Sequence, residues 1–212
     1  QQQAQSACDA LRTQQREKTQ HLSACEQALA KQQERLSGLT VDLRSTESRI
    51  HMLTEMEKDF EGYNRAVKAV MHAAEKGTLR GVRGPVANLI KTGDRYALAI
   101  ETALGAAAQN IVVDTQSCGA QAIELLRRRE TGRATFLPLS SIRGEALRDA
   151  RVQNEYGYVG LASELVEYDR EYDGIFKNLL GRTVVVEDLD CGITISRRFS
   201  NAFRIVTLDG QV

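Results

Sequence analysis

Along residues 1–60 the apolar positions fall at heptad spacing. Leu22, Leu29, Leu36, Leu43 and Ile50 recur every seven residues, and Cys25, Gln32, Leu39, Thr46 and Leu53 follow each by three. With the first set at a and the second at d, these are five consecutive heptads, the pattern of a coiled-coil helix. The tract has no proline and one glycine, Gly38, and is rich in Gln, Glu, Lys, Arg, Ala and Leu. About 55 helical residues would span roughly 80 Å. Gln32 and Thr46 weaken the d positions, so the rod should be pliable. A lone helix of this pattern buries nothing, and the chain holds no second heptad tract. Phe60 falls on the next d position, and Gly62 loosens the register there.

Past residue 60 the periods shorten and alternate. Val67, Val70, Met71 and Ala74 mark one face of a helix over 63–75, stopped by Gly77. The stretch from Gly81 to Asp114 then joins rod to compact part. Gly81, Gly84 and Pro85 predict a sharp turn into a short helix over 85–90. Tyr96, Ala99, Ile100, Ala103, Leu104 and Ala107 predict a second helix, and Ile111, Val112 and Val113 a strand. Ser117 is a plausible N-cap for a helix over 119–129 that buries Ala122, Ile123 and Leu126, with Gly132 as its stop. Residues 133–137 read as a strand closed by Pro138, and 140–157 as a polar loop with a short helix over 145–150. A brief strand over 158–161, a turn of helix at 163–166, a helix over 173–180, a strand over 183–186, a helix over 190–199 and a strand over 203–208 complete the chain. The expectation is an α/β (α+β) domain in two loosely similar halves, residues 61–212, behind a coiled-coil arm, residues 1–60.

Composition narrows the function. Twenty-eight basic and 28 acidic residues cancel, so no global charge draws the chain to DNA or membrane. Cys8, Cys25, Cys118 and Cys191 are scattered without CxxC spacing, which fits a reducing, cytoplasmic compartment. No apolar run is long enough for a membrane span, no leader is present, and the chain begins with Gln as a fragment does.

Candidate chemistry is sparse. His21, His51 and His72 all fall on the arm or its continuation, which leaves the globular part without the commonest general base and metal ligand. There is no GxxxxGK[ST] loop. Gly81 to Gly84 reads as a structural turn rather than a phosphate cradle. Cys118 and Cys191 sit near helix starts, where a thiol pKa can fall, but small packing residues are the simpler reading. The acids between Glu164 and Asp173, and between Glu187 and Asp190, are either a solvated loop or a cation site, the loop being the simpler. No catalytic residue and no metal site is assigned.

Charge is uneven locally. Residues 127–151 carry seven arginines against Glu130, Glu145 and Asp149, whereas residues 155–190 carry nine acids against Arg170, Lys177 and Arg182. Arg127, Arg128, Arg129 and Arg133 are the candidate DNA contacts. The competing reading is a solvated helix end whose cations suit the negative pole of the helix dipole. Without tryptophan or interleaved aromatics, any DNA binding should be weak, sequence-independent and salt-sensitive.

Six segments, GVRGPVANLI, ALGAAAQNIVV, GRATFLPL, GYVGLASELV, LLGRTVVVEDLD and FRIVTLDGQV, occur in this order. Together they resemble the hinge domain of bacterial-type SMC (structural maintenance of chromosomes) proteins. The resemblance covers residues 60–212, and the heptad arm fits the coiled coil that enters such a hinge. It implies a half-doughnut of two subdomains that pairs with a second hinge as a homodimer, joining two long arms. It also implies a returning coiled-coil helix as the arm's partner, nucleoid-associated chromosome condensation and segregation, and ATP and magnesium bound only by distant heads absent from this chain. Hinges of this family join through sheet edges of opposite subdomains, which makes Phe203, Ile205, Thr207 and Gly210 the dimer-interface candidates. Family members continue past the TLDGQV segment into a glycine-rich tract, whereas this sequence stops at Val212, so the chain alone is expected to associate weakly. The alternative is a coiled-coil adaptor with an α/β interaction domain and no DNA contact. An enzyme built on the same halves would need an acid–base pair that the sequence does not offer.

Overall fold

The computed structural model describes the backbone of residues 2–212 and the side chains of residues 11–212, so the side chain of Cys8 lies outside the described residues. The chain divides into two units, Gln1–Glu61 and Gly62–Val212.

The first unit is one helix, α1 (Gln2–Lys58), 57 residues long. Leu22, Leu29, Leu36, Leu43 and Ile50 line it at 58–66% exposure. The helix ends before Phe60, whose φ is +51°, so Phe60 lies outside the heptad run.

The second unit repeats one plan twice. In the first half, strands β1 (Val82–Pro85), β3 (Ile111–Val113) and β4 (Phe136–Pro138) form a sheet in the order β1-β3-β4. The second half has β5 (Tyr158–Leu161), β7 (Thr183–Val186) and β8 (Arg204–Thr207) in the order β5-β7-β8. In each sheet the first pair is antiparallel with a register shift, and the second pair is parallel. The parallel pair is bridged by a helix, α4 (Gln116–Arg129) in one half and α6 (Leu189–Arg198) in the other. A two-stranded ribbon of β2 (Lys91–Thr92) and β6 (Val166–Glu167) ties the halves together.

Strand alternation sorts the core into three clusters. Val112, Leu137, Val185 and Val206 point into a central cluster. There they meet Ala99, Ile100, Ala103 and Leu104 of α3 (Asp94–Leu104), and Ile175, Phe176 and Leu180 of α5 (Asp173–Leu180). Tyr168 stacks on Phe176 with ring centroids 4.5 Å apart. The intervening residues Ile111 and Val113 face the opposite way, onto Val67 and Val70 of α2 (Arg65–Glu75) and Ala122 and Leu126 of α4. Val184 and Val186 do the same in the second half, toward Ile195, Cys191 and Phe203. Because successive strand residues face opposite sides, one VVV-type run feeds two cores at once.

Several local expectations are revised. Val82–Pro85 is a strand, because its backbone pairs with β3, and only a 3₁₀ turn, Val86–Leu89, follows it. α4 starts earlier than its pattern predicts: Thr115, not Ser117, is the N-cap, accepting the Cys118 N–H through its hydroxyl. Glu130 in the left-handed conformation ends α4 before Gly132 is reached. Ile123 is 55% exposed; Gly119, Ala122 and Leu126 form the buried face instead. Residues 145–150 form no helix, the only regular piece nearby being the 3₁₀ turn Val152–Asn154. Residues 163–166 run from a turn into β6 rather than a helical turn. On α2 the buried residues are Ala66, Val67, Val70 and Ala73, with Met71 and Ala74 at the margin.

Candidate assembly and nucleic-acid interface

The two halves align residue by residue around their central helices. Val112 to Gly119 (VVDTQSCG) and Val185 to Gly192 (VVEDLDCG) occupy the same places, strand end, N-cap, cysteine and glycine. Asp188 caps α6 by accepting the Cys191 N–H at 2.9 Å, as Thr115 caps α4. The strand that pairs antiparallel is matched too. At Gly81 a Cβ would lie 2.6 Å from Cys118 Sγ, and at Gly157 2.3 Å from Cys191 Sγ, with φ +73° and +79°. Both positions therefore need glycine for the backbone angle and for the close approach of a thiol. This explains both cysteines as packing partners. The Asp188 carboxylate beside Cys191 pushes its thiol pKa up, the reverse of what a reactive thiol requires.

Each sheet ends on a strand with an open edge, β4 in the first half and β8 in the second. The four assembly candidates sit on β8 or just to either side of it, in different roles. Phe203 is buried in the outer cluster of the second half, at 5.5 Å from the Phe199 ring centroid. Thr207 is buried, its hydroxyl accepting the Gln211 N–H. Gly210, at φ +76°, lets the turn after β8 rest on α3, where a Cβ would meet Thr102 Oγ1 at 2.9 Å. Ile205, half-buried, lines an open groove together with Phe203 and Thr207. That groove, 440 Å³, runs between α6 and β8 and is edged by Leu189, Ile193 and Val212, at 48%, 40% and 73% exposure. Leu189 and Ile193 are thus interface candidates that periodicity missed; their signal was two apolar residues on α6 off its buried face. Arg204 fixes this edge to the first half, its guanidinium donating to the Ala103 and Thr102 carbonyls at 2.9 and 3.1 Å. These are the last carbonyls of α3, which lack helical partners of their own.

Arg127, Arg128 and Arg129 crowd the last turn of α4, all exposed, and Arg133 follows in the loop beyond Gly132. Arg128 pairs with Glu124 at 3.0 Å, whereas Arg127, Arg129 and Arg133 make no ion pair among the described residues. Arg83 is committed elsewhere: its Nε donates to Asp114 at 2.6 Å, with Glu171 of the second half 3.8 Å from Nη1. The Gly81–Gly84 segment is therefore a strand clamped at its edge. His72 lies on α2, so the compact unit does carry a histidine; its Nδ1 is 3.4 Å from Glu75 at the surface. Among the described residues no group of three or more His, Cys, Asp or Glu is placed to hold a metal ion. Among them, too, no helix is long and apolar enough to cross a membrane.

Two repeated sheets, a shared central core and open edge strands define a dimerisation-type α/β module, and comparison with known proteins assigns its family. Residues 79–196 match the profile of the family described as "SMC proteins Flexible Hinge Domain", and the chain belongs to that family. It is 42% identical over 173 residues to "Chromosome partition protein Smc" of Bacillus subtilis, covering 80% of this chain and 14% of that protein. Among solved structures it is similar to an asymmetric dimer of the Geobacillus stearothermophilus SMC hinge domain, with TM-score 0.74 and 42% identity over 79% of this chain and 69% of that one. The Pyrococcus furiosus SMC hinge domain is similar at TM-score 0.59 and 33% identity, covering 73% of this chain and 77% of that one.

Proposed function

We propose that the chain is the homodimerisation hinge of a cytoplasmic, nucleoid-associated SMC ATPase that partitions chromosomes. The observation that supports this most directly is the open β8 edge with its apolar groove beside α6, on a chain of the hinge family. Exposed edges invite strand pairing, and a second hinge offering its β4 edge would satisfy the open backbone groups of both. The role is mechanical: two arms are joined, while ATP and magnesium belong to head domains elsewhere in the parent protein. The arm's stripe from Leu22 to Ile50 takes a returning helix from the same kind of molecule, since a seam of leucines needs a facing helix to be buried.

Sedimentation equilibrium tests the assembly reading. The chain should self-associate weakly, and Ile193→Glu, which puts a charge into the groove, should raise the dimer dissociation constant more than about tenfold. Association unaffected by that change would place the interface elsewhere. A peptide or extension carrying the family's glycine-rich tract should tighten the dimer.

The same hinge contacts duplex DNA weakly through Arg127, Arg128, Arg129 and Arg133, a reading that rests on three exposed, unpaired guanidinium groups close in sequence. Replacing all four by Glu should weaken duplex retention at low salt and flatten the log-affinity against log-salt slope by about one unit per lost phosphate contact. An unchanged slope favours the adaptor reading without DNA contact.

A further inference from the structure

A second cationic feature lies away from α4, in a cavity of 420 Å³ between the loop 143–148 and the end of α5. Arg143, Arg148, Lys177 and Arg182 line it against a single acid, Glu145. Three of these cations are already oriented by the protein. Arg143 donates to the Leu139 and Ile142 carbonyls at 3.0 and 2.8 Å, Lys177 to Asp173 at 2.7 Å, and Arg182 to the Ala202 carbonyl at 3.1 Å. Arg148 is exposed and makes no ion pair or hydrogen bond among the described residues. The loop packs directly on α5, so closely that a Cβ at Gly144 would lie 1.9 Å from the Asn178 backbone nitrogen. Along the same loop the backbone N–H groups of Gly144, Glu145 and Ala146 find no acceptor among the described residues.

We infer that this cavity is a phosphoryl-anion site. Consecutive backbone N–H groups beside the guanidinium groups of Arg143, Arg148 and Arg182 supply the donors and the charge that a phosphate demands, Lys177 being already paired with Asp173. Arg143 and Arg182 are held in place before a ligand arrives, which lowers the ordering cost of binding, and Arg148 is free to close over it. No aromatic side chain lines the cavity, so recognition runs through phosphate oxygens and not through a stacked base. The ligand is a phosphodiester of a nucleic-acid strand or a free phosphoryl anion, the two sources sharing this chemistry. The site does not depend on dimerisation through β8.

Amide chemical shifts of the full 212-residue chain, titrated with inorganic pyrophosphate, test it. The expected result is a saturable shift at Gly144, Glu145 and Ala146 that sodium chloride at matched ionic strength does not reproduce. Arg148→Gln, on an exposed side chain with no structural contact, should weaken that binding about three- to tenfold. Shifts that never saturate, that fall equally on the Arg127–Arg133 region, or that Arg148→Gln leaves unchanged would overturn the assignment. A short DNA duplex that displaces pyrophosphate from these amides identifies the nucleic-acid backbone as the source. Failure to displace it identifies free phosphoryl anions.

Discussion

In the first half of the hinge the outer face of the sheet carries two helices, α2 and α4, packed around Ile111 and Val113. In the second half α6 covers that face with the segment around Val152, and its far side stays open. The aligned positions show why. Leu189 and Ile193 on α6 correspond to Gln116 and Ala120 on α4, and exposed Ile123 on α4 corresponds to Ser196. The same backbone plan thus places Leu189, Ile193 and Ser196 beside one edge strand and Gln116, Ala120 and Ile123 beside the other. A repeat keeps what its interior needs, the alternating strands, caps and glycine–cysteine contacts, and leaves its outer surfaces to diverge. Two unlike edges are what an interface between opposite subdomains requires.

The largest expected effect comes from the core that the halves share. Phe176→Ala should cost about 3–5 kcal/mol. Thermal unfolding should remain a single transition, because the central cluster draws on both sheets. Two separate transitions would show the halves to be independent domains.

Next come the paired glycines. Gly157→Ala and Gly81→Ala each force a left-handed residue and a methyl group against a thiol, costing about 1–3 kcal/mol. The second-half variant should suffer more, its contact being 2.3 Å to Sγ and 2.6 Å to Cβ of Cys191, both backed by a buried cysteine. Adding Cys191→Ala to Gly157→Ala should recover part of the loss in urea unfolding.

The surface difference is tested by matched charges. Ile193→Glu should weaken self-association, while Ala120→Glu, at the aligned position, should change the dissociation constant less than about twofold. Equal effects would erase the distinction drawn between the two sheet edges.

The smallest effects separate the two N-caps. Thr115→Ala should cost about 1 kcal/mol at any pH. Asp188 behaves differently, since the Cys191 N–H it accepts holds its carboxyl pKa below the usual value. A depressed folded-state pKa contributes stability above the unfolded value that is lost as pH falls through the folded one. Asp188→Asn should therefore flatten the acid limb of the stability–pH profile below about pH 4, where Thr115→Ala leaves its shape unchanged.

Most elements of the compact unit were legible in the chain because each carries its own period or stop. The strands Ile111–Val113 and Thr183–Val186 and the helix over 173–180 are where patterning predicts them, while the helix patterned from Tyr96 to Ala107 ends at Leu104 and gives way to a 3₁₀ turn that holds Ala107. Misreadings fall where a partner distant in sequence decides the conformation. Val82–Pro85 has the glycine and proline of a turn but becomes a strand because β3, well removed in sequence, offers it hydrogen bonds. The basic candidates were read from a run of arginines. Their division into Arg128, paired with Glu124, and Arg127, Arg129 and Arg133, without an ion pair among the described residues, is decided by side-chain geometry.

The sequence by itself determined the rod, the compact α/β unit behind it and the family of the hinge. Heptads, strand alternation and glycine stops are local physical constraints that act before any tertiary contact forms. Only the tertiary structure decided which face of each element is buried, and so which residues remain available for a partner. Phe203 and Ile205 are two positions apart on or beside one strand and both border the groove, yet Phe203 is buried in the outer cluster while Ile205 is only half-buried against it. Burial is a property of what packs opposite, and that is set by the whole fold rather than by the residue's own neighbours in sequence.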